Sequence, residues 1–132
     1  MKKRIYLFSL LGCLMMLGYL FTACSGSVEN TPESVAAFAV KAYQKGNFAD
    51  LKEYSTEDLR KKLESETEED REFMTKMFEG AKVELDNVSD YAADGSIKTV
   101  SFNMQKGERN STVRVRMANE EGKWLFDGLK FY

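Results

Sequence analysis

The spacing of apolar residues changes twice along the chain and divides it into three stretches. The 19 residues from Ile5 to Ala23 carry no charge and are dominated by Leu, Phe, Met and Tyr. From Thr31 to Gly80 the apolar positions recur three and four apart, the period of helices that bury one face. Val35, Phe38, Ala39, Ala42 and Tyr43 form the first such set, with Thr31 as cap, Pro32 at the first helical position and Gly46 as stop. Phe48, Leu51 and Tyr54 mark a short second helix starting at Asn47. Ser55-Thr56-Glu57-Asp58 opens a third, with Leu59 and Leu63 behind it and Glu57/Lys61 and Asp58/Lys62 on its wet face. Thr67, followed by Glu68, Glu69 and Asp70, opens a fourth, where the helix dipole favours carboxylates; Phe73, Met74, Met77 and Phe78 follow until Gly80.

After Gly80 the period drops to two, that of a strand with one face buried. Val83 and Leu85 begin the first strand, and Ser89 to Gly95 is rich in turn residues. Val100, Phe102 and Met104 alternate with Ser101, Asn103 and Gln105; after the turn at Lys106-Gly107-Glu108-Arg109, Val113, Val115 and Met117 alternate with Thr112, Arg114 and Arg116. Asn119-Glu120-Glu121-Gly122 turns again into Lys123-Trp124-Leu125-Phe126-Asp127, where Trp124 shares the apolar parity and Asp127 falls on the opposite one. Gly128 suits a bulge before Leu129 and Phe131. Helices followed by an antiparallel meander with one apolar face predict an α+β domain, its N-terminal helices packed on one side of the sheet.

The leading stretch reads as an export signal. Met1-Lys2-Lys3-Arg4 is a basic n-region, the apolar run follows, and Phe21-Thr22-Ala23-Cys24 resembles the lipobox of bacterial lipoproteins, although Phe21 stands where leucine is usual. Leu10-Leu11-Gly12-Cys13 fits the same pattern by letters, but cleavage there leaves a short apolar core and a mature protein beginning with another apolar stretch. An uncleaved anchor needs no cysteine at the junction Cys24-Ser25-Gly26-Ser27. The expected organisation is therefore a signal peptide over 1–23, a lipidated tether over 24–30 and a single domain over 31–132. Cys24 is the expected site of lipid attachment, for example with palmitate. The expected address is the bacterial cell envelope, on a membrane outside the cytoplasm: the periplasmic face or the outer membrane.

The stretches Thr31-Pro32-Glu33-Ser34-Val35-Ala36-Ala37-Phe38, Tyr43-Gln44-Lys45-Gly46-Asn47-Phe48 and Glu121-Gly122-Lys123-Trp124-Leu125-Phe126-Asp127 resemble the uncharacterised bacterial lipoprotein branch of the nuclear transport factor 2-like (cystatin-like cone) superfamily. The resemblance implies a curved sheet wrapped around helices into a cone. It implies no particular chemistry, since one fold hosts many functions.

Composition narrows the function by exclusion. Lys2, Lys3 and Arg4 lie in the signal, so 16 basic side chains face 21 acidic ones after it, a formal charge of −5. A nucleic-acid partner is not expected, because such binding needs a basic face. The chain has no histidine, which removes the commonest general base and metal ligand. With Cys13 in the signal and Cys24 lipidated, no thiol is left for a disulfide or a thiolate zinc site. No phosphate-binding glycine loop or metalloprotease helix is present. Asp86, Asp90 and Asp94-Gly95 have the wrong spacing for a calcium loop.

No cofactor, no metal and no catalytic residue are expected. Enzymes of the resembled superfamily, such as the ketosteroid isomerase-like ones, place an Asp base and a Tyr donor inside the cone; here no Asp is clearly inside. The reading is a non-enzymatic, lipid-anchored domain that binds a small apolar ligand or an envelope protein partner. The expected pocket residues are Tyr43, Met77, Phe102 and Met104, at the wide end of the cone. The alternatives are a cone-pocket enzyme using a carboxylate or tyrosine, and a structural accessory module.

Overall fold

The computed structural model describes residues 28–132; the expected signal 1–23, Cys24 and the rest of the tether through Ser27 lie outside the described residues. Four helices come first. Helix α1 spans Pro32–Lys45: the Thr31 hydroxyl accepts the Ser34 N–H at 3.2 Å, Pro32 occupies the first turn, and Gly46 ends the helix with φ of +69°. Helix α2, Phe48–Glu53, is capped by Asn47, and α3, Glu57–Ser65, by Thr56. Helix α4, Glu68–Phe78, opens with a reciprocal box in which Thr67 and Asp70 each satisfy the other's backbone N–H.

The sheet follows as four antiparallel strands in sequence order: β1, Lys82–Asp90; β2, Ile97–Lys106; β3, Arg109–Glu120; and β4, Lys123–Phe131. Cross-strand partners share a face, so the register decides what is buried. Val100 opposes Val115, Phe102 opposes Val113, and Met117 opposes Phe126; all six are buried against the helices. Two bulges adjust the outer strands. One lies at Asp86 in β1, between Leu85 and Asn87. The other lies at Asp127, where Met117 pairs with Phe126 but Arg116 pairs with Gly128. The extra residue restores Leu129 and Phe131 to the helix side, where they pack on the core.

Helix α1 packs on strands β2, β3 and β4 and on α4. Its buried face (Val35, Ala36, Ala39, Val40, Ala42 and Tyr43) uses alanines where the helix lies closest to its neighbours. Tyr43 is the hub of the aromatic packing: its ring stacks on Phe78 at 5.6 Å and meets Phe48 and Phe126 edge-on at 5.6 and 6.0 Å. Phe102 and Val115 are buried as their parity requires, and Trp124 lies against the same core but only half-buried. Phe73, on the expected apolar face of α4, and Leu85, on the expected apolar face of β1, are 63% and 53% exposed. Among the described residues no helix packs extensively on β1: Val83 and Val88 reach the margin of the core, while Leu85 on the same face is left exposed.

The helical layer is tied to β4 at two points, between its second and third helices and ahead of its first. The segment after α2 forms a parallel bridge, Ser55 to Phe126: the Phe126 N–H donates to the Tyr54 carbonyl at 2.7 Å, and the Thr56 N–H donates to the Phe126 carbonyl at 2.9 Å. Upstream of α1, the Asn30 amide donates to the Gly122 carbonyl at 2.8 Å and accepts the Trp124 N–H at 2.9 Å. Val28 packs on the core, so the chain is docked from that residue onward.

Candidate functional site

Thr56, at the start of α3, meets β4 at Phe126 and Asp127. Beyond the bulge at Asp127 the strand and the helix part, and a cleft of about 960 Å³ opens between them. At its inner end stand Tyr43 from α1, Leu59 and Lys62 from α3, Glu66 from the α3–α4 junction, Met74 from α4 and Leu129 from β4. At its outer end it runs over the open face of the sheet, past Arg114, Arg116, Tyr91 and Tyr132. The inner end combines three apolar side chains, Leu59, Met74 and Leu129, with one phenol, one carboxyl and one ammonium.

Glu66 acts on Tyr43. Burial, and then the nearby Asp70 carboxylate, raise the Glu66 carboxyl above its ordinary pKa, while Lys62 and Arg71 pull the other way. Burial and the Glu66 carboxylate push the Tyr43 phenol well above its usual range, so it stays protonated and able to donate. One oxygen of Glu66, Oε2, is buried without a hydrogen-bond partner, and so is Nε of Arg71. A buried polar atom left unpaired costs free energy, which makes Glu66 the least settled group in the cleft.

Asp127 ties the start of α3 to β3 at the side of the cleft. Its Oδ1 accepts the Thr56 hydroxyl at 2.8 Å and its Oδ2 meets Arg116 Nε at 3.0 Å. Thr56 is 5% exposed and its oxygen also caps α3 by accepting the Leu59 N–H at 3.4 Å, so one hydroxyl joins the helix start to the strand bulge. On the sheet face each arginine lies over a tyrosine ring: Arg116 over Tyr91 at 4.8 Å, and Arg114 over Tyr132 at 4.3 Å.

Of the four residues expected in a pocket, the structure brings Tyr43, Phe102 and Met104 into one buried core with Met77 at its margin. Only Tyr43 faces the large cleft. Met104 borders a smaller hollow of about 380 Å³ beside Asn103 and Ser111, adjoining the large cleft through Thr112 and Tyr132. Met77 and Phe102 line neither space. Glu66 was missed in the sequence because it sits between two helices, outside any periodic pattern. Leu59, Met74 and Leu129 were legible as apolar positions, but their meeting around a cleft depends on where α3 leaves the β4 edge. Among the described residues no three acidic, cysteine or histidine side chains gather as a metal site, and no helix is long and apolar enough to cross a membrane.

Comparison with known proteins adds the family. No curated protein and no solved structure matches the chain. Residues 25–130 match the family described as Domain of unknown function (DUF4878), and the chain, matched over nearly the whole of its length beyond Cys24, belongs to that family.

Proposed function

We propose that this chain is a lipid-anchored domain of the bacterial cell envelope that binds a small apolar ligand, without catalysis, in the cleft between α3 and β4. The observation that carries the binding reading is the cleft itself: about 960 Å³, with Leu59, Met74, Leu129 and the Tyr43 phenol at its inner end and mainly polar and charged side chains along the rest. Ligand sites are typically concave and mostly apolar, with a few placed polar groups. The address rests on the leader: a basic start, an uncharged apolar run, and small residues before Cys24. Acylation there would put two or more chains in the bilayer, which is what stable anchoring requires. The helices laid on one face of a curved meander support the finer fold reading, a nuclear transport factor 2-like cone.

Two measurements test the proposal in a bacterial host. Labelling with a fatty-acid analogue should be lost in Cys24→Ser, with precursor accumulating, and kept in Cys13→Ser; the reverse pattern would refute the anchor assignment. A panel of neutral apolar dyes should bind the domain beyond the anchor, and Leu59→Trp or Leu129→Trp should block them. A domain that binds none of the panel would refute the ligand reading and leave an accessory module. A second reading, a cone-pocket enzyme, rests on Glu66, a carboxyl with a raised pKa beside a protonated tyrosine. It would be favoured if Glu66→Gln abolished a turnover that the parent supports.

A further inference from the structure

The outer end of the cleft holds an uncompensated pair of cations. Arg114 in β3 stands directly opposite Lys130 in β4, and both side chains lie on the open face of the sheet. Neither is in an ion pair among the described residues, where the four ion pairs are Lys61 with Glu57, Lys82 with Glu84, Lys98 with Asp90, and Arg116 with Asp127. Like charges directly opposite each other on a sheet destabilise it. The contrast one rung away is informative: Arg116 also stacks on a tyrosine, but Asp127 neutralises it.

Arg114 is also held ready for a partner. Its guanidinium carbon lies 4.3 Å from the centroid of the Tyr132 ring, a cation–π contact that limits where the side chain can go. A guanidinium edge matches a carboxylate with two parallel hydrogen bonds. On the other side of Arg114 its cross-strand neighbour is Ser101, 6% exposed, whose hydroxyl borders the same cleft. From this rung the cleft passes around β4, at Leu129, to the apolar side chains of Leu59 and Met74.

We infer that the cleft takes a monoanionic amphiphile, a carboxylate head between Arg114 and Lys130 and a hydrocarbon tail running past Leu129 toward Met74. The inference rests on the ligand-binding reading above and adds the head group to it. Outside those four ion pairs the cleft is lined by three cations, Lys62, Arg114 and Lys130, and three carboxyls, Asp58, Glu66 and Asp86, which favours a head of one charge over a more highly charged one. Asp58 and Asp86, both outside those four ion pairs, stand on the rim of the cleft and would oppose a dianion such as a phosphate monoester. The two cations gain a common counter-ion, and the repulsion across the strand pair is removed.

The test compares decanoate with decan-1-ol, the same chain with a neutral head, by calorimetric titration of residues 25–132, which contain every element of the fold. At about pH 8 the carboxylate is ionised. Decanoate should bind the parent on the order of tenfold more tightly than decanol, a preference that falls with added salt. In the double variant Arg114→Gln with Lys130→Gln, both exposed positions, the preference should shrink to about onefold while decanol binding holds and the melting temperature does not fall. Equal binding of acid and alcohol by the parent would overturn the anionic head and leave the cleft reading intact. A preference that survives in the double variant would overturn this pair as the site. Binding of neither ligand would overturn the cleft reading and this inference together.

Discussion

Truncating Phe126 should remove the largest single share of stability available in β4. Its side chain is fully buried, pairs with Met117 across the strand, and meets the Tyr43 ring edge-on at 6.0 Å. Its backbone also carries the bridge to Tyr54 and Thr56, so a void there loosens the seam between the helices and the sheet. Phe→Ala at a fully buried site typically costs about 3–5 kcal/mol, against a total of about 5–15 kcal/mol for a domain. At this size each kcal/mol lowers the melting temperature by about 4–8 °C, so Phe126→Ala should fall by more than about 12 °C or fail to fold. Trp124, on the same face but only half-buried, sets the internal control. Trp124 keeps part of its surface in water and its truncation opens a smaller void, so Trp124→Ala should melt above Phe126→Ala. Paired thermal and urea melts of the two variants decide the matter. If Trp124→Ala is the more damaging, the assignment of Phe126 as the seam residue is wrong.

Three further outcomes follow from the same geometry. Thr56→Ala removes a helix cap and a hydrogen bond to a carboxylate and should cost about 1–3 kcal/mol; a double-mutant cycle with Asp127→Ala should show coupling, and strict additivity would mean that the 2.8 Å contact contributes nothing. Ala39→Leu, at a fully buried position away from the cleft, should overpack and cost about 1–3 kcal/mol in a melt, and an unchanged stability would reveal unfilled space behind α1. Glu66 fixes the sign of a pH effect: its folded pKa is raised, so its stabilising contribution is present at low pH and is lost as pH rises from the ordinary glutamate range through the raised value. Glu66→Gln should therefore match the parent at low pH and gain on it across that window, and a variant that instead loses ground as pH rises would contradict the raised value.

The helices and the sheet parity were legible in the sequence because local chemistry and burial agree there. Thr31, Thr56 and Thr67 each cap the helix whose start they announce, and Val100, Phe102, Val113 and Val115 are buried as the alternation requires. Gly128 and its neighbour Asp127 form the bulge that keeps Leu129 and Phe131 on the helix side. Less legible was which apolar positions tertiary packing would cover. Phe73 and Leu85 have the right spacing and are exposed, because no element lies across that part of the layer. Ser89 and Asp90, turn formers by composition, extend β1 in register with Thr99 and Lys98 after the bulge at Asp86. The cleft was the least visible feature. It arises where α3 diverges from β4, a relation between residues some seventy positions apart, such as Thr56 and Asp127.

The most direct test of ligand binding between α3 and β4 is side-chain NMR of residues 25–132 titrated with decan-1-ol. The account predicts saturable shifts of the Leu59 and Leu129 methyls, the Met74 methyl and the Tyr43 ring, with Val100, Val113 and Met104 unmoved. No saturable shift, or shifts confined to the exposed Phe73 and Leu85, would contradict it.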